Sequence, residues 1–275
     1  MMMKKYLLLS LLSVFGLTSV HAQYNDVEWG LFNHLSVGVG LGTTGISVDV
    51  AAPISPYVAV RGGADILPNI KFHPALDLGT DKDIKKFVYE WFDVDLPEKI
   101  DFDGKLKFTA GHLLVDVYPF KKSSFHVTAG AYLGSKQIAY LNTAGDQILL
   151  KTVYDYNQLE ISNLLGKAGV ELGNYLLVPD KDGIIKTSLE VNALRPYIGI
   201  GFGRAIPTKH RFACNFDLGL QYWGTPKIYL EGDNGKTRLK ESDLDPESGK
   251  GIKALSETKF WPVLNFRCVY RIFSN

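Results

Sequence analysis

The sequence predicts an all-β fold: a closed antiparallel up-and-down transmembrane β-barrel of about eight strands with long outer loops. Three observations predict it. Apolar and polar residues alternate along segments of strand length, with the bulky apolar side chains on one face. The connections between those segments are mostly short at one end and long at the other. Beyond the N-terminus no run is apolar for long enough to make a membrane helix, whereas a barrel strand hides its lipid-facing residues in the alternation.

The closing stretch, Trp261 to Phe273, shows the pattern best. Leu264, Phe266, Cys268, Tyr270 and Ile272 share one face, and Asn265, Arg267 and Arg271 share the other. Near the N-terminus, Leu35 to Leu41 and Ile46 to Val50 alternate on either side of Gly42-Thr-Thr-Gly45, which predicts a hairpin. Pro53 to Pro56 makes the next turn, into a strand from Val58 to Ile66. The strand near Lys105 to Tyr118 is less regular. Leu106 and Phe108 have one parity and Leu113, Val115 and Val117 the other, so a bulge is expected near Gly111, which turns His112 and Asp116 inward. Phe125 to Leu133, Ile198 to Phe202 and Phe212 to Tyr222 supply three further strands. Long excursions separate them at about Pro68–Gly104, Ile138–Leu194 and Gly224–Lys259, and Ile161 to Gly166 reads as one helical turn.

The first residues read differently. Lys4 and Lys5 precede an apolar run from Tyr6 to Leu17, and Val20-His21-Ala22 offers small residues where a signal peptidase cuts. Residues 1–22 are therefore expected to be a cleaved signal peptide and residues 23–275 an outer-membrane β-barrel domain. A formal net charge of +1 gives no electrostatic case for a nucleic-acid partner. Two cysteines, Cys214 and Cys268, cannot form a disulfide framework, though pairing of the last two strands would set them opposite each other.

The inward positions gather Asp49, Arg61, Asp65, Asp116, Asp217, Arg267 and Arg271. Charges inside a protein persist when paired. An eight-stranded barrel has room for its own side chains and little else, so the expectation is a charge network that plugs the interior. A plug of this kind predicts no resolvable current from wild type and a current from Arg267→Ala; a narrow passive or gated channel for small solutes is the alternative. Trp223 and Trp261 flank the third excursion and are expected to form an interfacial aromatic belt. The run Gly40-Leu-Gly-Thr-Thr-Gly45 matches a dinucleotide fingerprint only in its glycines, because a strand follows where a helix is required. The histidines lack metal-ligand spacing, and although His126 lies close to Ser123 and Ser124, no acid completes a recognisable hydrolase arrangement. No cofactor, metal or catalytic residue is expected. A secreted lipocalin-like binder of a hydrophobic ligand remains the second alternative, distinguished by having Phe212, Phe216, Leu264 and Phe266 inside.

Several stretches resemble the eight-stranded outer-membrane barrels of the broad OmpA/OmpW-like kind. They are Val39-Gly-Leu-Gly-Thr-Thr-Gly-Ile46, Asp101-Phe-Asp-Gly-Lys-Leu-Lys107, Asp116-Val-Tyr-Pro-Phe120, Arg195-Pro-Tyr-Ile-Gly-Ile-Gly-Phe202 and Asp217-Leu-Gly-Leu-Gln-Tyr-Trp-Gly-Thr-Pro-Lys227. The ending Tyr270-Arg-Ile-Phe273 resembles the aromatic C-terminal signal read by the barrel-assembly machinery, with Ser274 and Asn275 extending past it. The resemblance implies a bacterial outer-membrane location, contact with outer-membrane lipid, assembly by that machinery through Tyr270, Ile272 and Phe273, and a non-enzymatic structural or surface-interaction role. It names no partner for the loops.

Overall fold

The computed structural model describes residues 30–73, 75–77, 99–121, 123–144, 148–160, 162, 164, 167–172, 175–208, 210–232, 235–240, 242 and 257–274. The expected signal peptide, residues 1–22, lies outside them. Eight strands close into an antiparallel ring: β1 (His34–Gly42), β2 (Gly45–Ser55), β3 (Val58–Phe72), β5 (Lys99–Val117), β6 (Phe125–Gly134), β11 (Leu194–Phe202), β12 (Phe212–Tyr222) and β15 (Phe260–Ser274). Each pairs with the next in that order, and β15 pairs with β1. Closure leaves none of the eight with a free edge along its shared length, which removes the usual site of strand-to-strand aggregation.

The tight turn between β1 and β2 needs Gly45, whose φ of 101° suits a residue without a Cβ. The connections β2–β3, β5–β6 and β11–β12 are also short and share one end of the ring with the start of β1 and the end of β15. The other end carries that first turn and the three long excursions. These excursions are not structureless. The first half of β5 leaves the ring and pairs with β7 (Gln137–Thr143), which pairs with β10 (Lys186–Glu190), then β13 (Lys227–Gly232) and β14 (Gly235–Arg238). The strand β4 (Ala75–Asp77) pairs with the start of β5, and β8 (Val170–Leu172) pairs with β9 (Tyr175–Leu177). The sheet of the ring is thus extended beyond its long-loop end.

The helix α1 (Ile148–Gln158) belongs to this outer layer. Leu150 is its buried anchor, with Val153, Tyr154 and Asn157 half-buried on the same stripe. Asn157 fixes the following chain through a reciprocal pair of 2.7 Å bonds with the Ala168 backbone. The helical turn expected at Ile161 to Gly166 falls mostly outside the described residues, and the helix that is described lies earlier.

The bulge expected near Gly111 is absent. The strand β5 keeps strict alternation from Gly104 to Tyr118, so Phe108, Ala110, His112, Leu114 and Asp116 all face inward. The register shift falls on its neighbour instead, between Leu67 and Ile70 of β3. The outward face is apolar almost throughout: Val39, Val48, Ile66, Leu113, Leu133, Ile198, Phe202, Phe212, Leu218, Leu264, Phe266 and Ile272 are exposed.

The register of β12 against β15 sets Cys214 opposite Cys268, with their sulfurs 3.4 Å apart as free thiols on the outward face. Directly opposed thiols at this spacing can be joined by a small side-chain rotation. A mild thiol oxidant should therefore remove two hydrogens from the intact mass and abolish maleimide labelling. Continued labelling of both thiols would mean that the two strands are out of this register.

Candidate functional site in the ring interior

The ring interior changes character along its axis. Its middle is ionic. Arg61 on β3 forks between two carboxylates, Asp116 on β5 at 2.7 Å and Asp217 on β12 at 3.1 Å. Thr128 donates to Asp116 at 2.7 Å, and the Nε2 of His126 lies 2.8 Å from Asp217. On the opposite wall Arg267 reaches Asp49 at 3.1 Å. Towards the long-loop end, Asp65 takes His112 at 2.5 Å and the Thr44 hydroxyl at 2.9 Å. Burial of these groups is nearly complete, with Asp116 and Arg267 at 0% exposure and Arg61 at 3%. Each charge is paired, which is the condition on which buried ions persist. The satisfaction is not total: Arg267 Nε and Nη2, Arg61 Nε and Asp116 Oδ2 have no protein partner. Buried pairs of this kind add little net stability, but removing one partner from them is costly.

Glycine makes the close approach possible. A Cβ placed on Gly201 would lie 2.5 Å from both Asp217 Oδ1 and His126 Nε2. Gly38 is similarly held against Asp49 and Arg267.

The long-loop end of the interior is aromatic instead. Phe108, Tyr132, Tyr197, Trp223 and Val263 form a buried cluster, closed from above by Ile138 and Val191 and flanked by Trp261. Trp223 and Trp261 stack with ring centroids 4.6 Å apart, and Trp223 faces Phe108 at 6.2 Å. Arg195 lies fully buried over the Phe108 ring at 4.8 Å and donates to the carbonyls of Asn192 and Ser135. The expected interfacial belt is thus corrected at both positions. Trp223 is 8% exposed and points into the ring, because it has the same parity as Asp217, just as Trp261 has the parity of Arg267.

The short-turn end is closed by the chain itself. The β11–β12 connection folds inward, burying Ala205 and Ile206 against Tyr118, Ala51 and Ala59. Arg204 lies over the Tyr118 ring at 4.6 Å and ties together three neighbouring turns through the carbonyls of Pro56, Lys121 and Ser123.

Of the seven charged residues read from the sequence as interior, the structure therefore brings together Asp49 with Arg267, and Arg61 with Asp116 and Asp217. Asp65 stands apart with His112. Arg271 takes no carboxylate among the described residues; it is half-buried near the short-turn end and donates to the carbonyls of Pro207 and Thr208 at 3.0 and 3.3 Å. The interior cation that sequence reasoning misses is Arg195, together with the pairing roles of His112, His126 and Thr128. His126 meets the carbonyl of Ser124 at 3.3 Å, not its hydroxyl. Tyr270 and Ile272 face outward, and the side chain of Phe273 lies outside those described.

The outer sheet carries its own ion pairs. Lys186 reaches Asp180 at 2.5 Å, and Lys236 bridges Glu190 and Glu231 at 3.1 and 3.0 Å. Partial burial works against the charged form of Asp180, but Lys186 and the amides of Ile184 and Asp182 outweigh it and hold the carboxyl below its ordinary range. Asp180, Lys186 and Glu231 border a cavity of about 460 Å³ between β9, β10, β13 and β14.

The class these features define is a closed eight-stranded antiparallel ring, apolar outside, ionic and aromatic inside, with a sheet standing on one rim. No protein-family model and no curated protein sequence matches the chain. Several solved structures are similar to it, three of which follow. The Acinetobacter baumannii CarO2 structure aligns at 18% identity and a TM-score of 0.48, covering 88% of this chain and 100% of its own. Acinetobacter baumannii CarO aligns at 15% identity and 0.46, covering 87% and 97%. A major outer membrane protein from Thermus thermophilus aligns at 17% identity and 0.36, covering 87% and 98%.

Proposed function

We propose that this chain is an integral outer-membrane β-barrel protein whose interior is sealed and whose role, structural or interaction-based, is exercised by the sheet above its long-loop rim. One observation carries the reading: a closed ring with its polarity inverted, ion pairs inside and aliphatic side chains outside. A monomer in water seldom exposes so continuous an apolar surface. The apolar face of β12 runs from Phe212 to Tyr222, and at the usual strand tilt its 11 residues span about 25 Å, the height of a lipid-facing band. A lipocalin-like binder needs the opposite arrangement. Here Phe212 is 57% and Phe266 45% exposed, whereas Arg267 is 0%.

Alkaline carbonate extraction of cells expressing the full chain tests the location. The chain should stay in the outer-membrane pellet; recovery in the soluble fraction would sink the proposal. Under this reading residues 1–22 direct export, and Tyr270, Ile272 and Phe273 present the assembly signal.

The sealed interior favours a closed barrel over a channel. A solute would have to pass the Trp223–Phe108 layer, the Arg61 and Arg267 pairs, and the inserted Ala205–Ile206 turn. In planar bilayers the wild type should give no resolvable steady current. Arg267→Ala should stay closed as well, since both apolar seals remain in place. This reverses the expectation from sequence, which treats the charges as the whole plug. A steady unitary current from wild type would favour the channel.

A further inference from the structure

Just beyond the apolar band, on the outward face, the strands carry a cluster of cations. Lys105 of β5 lies directly opposite Lys71 of β3, and Tyr140 of β7 lies opposite Lys105 on its other side. Lys107 comes one outward position nearer the ring, next to Thr109, whose partner Ile66 is 56% exposed in the apolar band. Lys71, Lys105, Lys107 and Tyr140, with His73 and Asp103, border a cavity of about 410 Å³. Asp103 lies 3.3 Å from the imidazole of His73. Among the described residues, Lys71, Lys105 and Lys107 form no ion pair. Like charges set side by side on adjacent strands repel one another. Three lysines bordering one cavity therefore favour an anion that sits among them.

We propose that this cavity binds the phosphate of a phosphorylated lipid headgroup in the membrane leaflet at the long-loop end. The proposal rests on the membrane reading above, and the position of the site follows from it. The lysines stand at the height where headgroups meet the apolar band, so the phosphate reaches them while its acyl chains lie along Ile66 and Leu113. Lysine suits the task because it meets phosphate as a point charge with freely turning donors. The hydroxyl of Tyr140 already donates to Gln137 at 3.0 Å, which leaves the cations as the main recognition element. The same chemistry would accept free phosphate, but a free ion gains nothing from the adjoining apolar surface.

The full chain, reconstituted in phosphatidylcholine nanodiscs, is titrated with bisphosphorylated lipid A and separately with inorganic phosphate, and bound ligand is counted by native mass spectrometry. Wild type should retain lipid A in preference to phosphatidylcholine and show no comparable uptake of inorganic phosphate. The triple variant Lys71→Ala, Lys105→Ala, Lys107→Ala should bind lipid A on the order of a hundredfold more weakly, given the worth of each cation at an anionic surface. The matching triple arginine variant should keep binding, which separates lost charge from lost fold. Unchanged lipid A binding by the alanine variant would overturn the proposal. So would inorganic phosphate occupying the site as well as lipid A does. A chain that fails to enter nanodiscs refutes the membrane reading and this site together, whereas one that enters and shows no lipid A preference refutes the site alone.

Discussion

Arg61→Ala should cost the ring about 3–5 kcal/mol of stability, the usual penalty for removing one member of a buried ion cluster. The loss arises from what is left behind. Asp116, with 0% exposure, and Asp217, with 3%, would remain inside without the guanidinium that spans them. Thr128 and His126 still bond them but bring no fixed charge to replace it. Arg61→Lys should recover only part of the loss, since one ammonium cannot fork across two carboxylates on different strands. The triple change Arg61→Leu, Asp116→Asn, Asp217→Asn should be milder than Arg61→Ala, because it removes the charges together. Urea unfolding of the chain folded into lipid vesicles, followed by tryptophan fluorescence, measures each. A shift below about 1 kcal/mol for Arg61→Ala would mean that solvent reaches the cluster and that the interior is a wet path.

The ring is legible in the sequence because strand alternation is a short-range signal with a simple cause: each residue faces the opposite way from the last. Val39, Ile198, Phe212 and Leu264 face outward as that rule requires, and Asp49, Asp217 and Arg267 face inward. The departures share one physical origin. Alternation suggests a uniformly polar interior, but the interior turns aromatic towards the long-loop end. A uniformly polar interior makes Phe108 look misplaced and calls for a bulge at Gly111. It also sets the strand-end positions of Trp223 and Trp261 above their parity, which already places them inside. Arg195 escapes notice when the strand is begun at Ile198, although its parity with Tyr197 also points inward. Partner choice is a different matter. Alternation says that Arg61 and Asp217 share the interior, but only the ring's closure, which brings β3 and β12 to face each other across it, makes them a pair. For Arg271 the same closure leaves it near the inserted turn, where the carbonyls of Pro207 and Thr208 receive it. The outer sheet is hidden for another reason: strands as short as β10 and β13 carry too few alternations to stand out from loop sequence.

Leu218→Arg separates a lipid-facing ring from a water-facing one. Leu218 lies near the middle of β12, paired with Ile200 on one side and Leu264 on the other, and all three are exposed. In water an arginine on such a surface position changes stability by at most about 0.5 kcal/mol. At the mid-height of a bilayer the same change costs about 2–4 kcal/mol, because the guanidinium must stay solvated in hydrocarbon. The penalty should shrink as the arginine moves along the strand: Phe212→Arg and Tyr222→Arg, near the two ends of the band, should each cost about 1 kcal/mol or less. Urea unfolding from lipid vesicles reads the whole series. A peak at Leu218 falling away on both sides would be a depth profile, which neither a crystal-like surface patch nor a soluble oligomer interface has reason to produce. A flat series near zero would mean that water wets the outer face, and the inverted polarity of the ring would then need a protein partner to cover it.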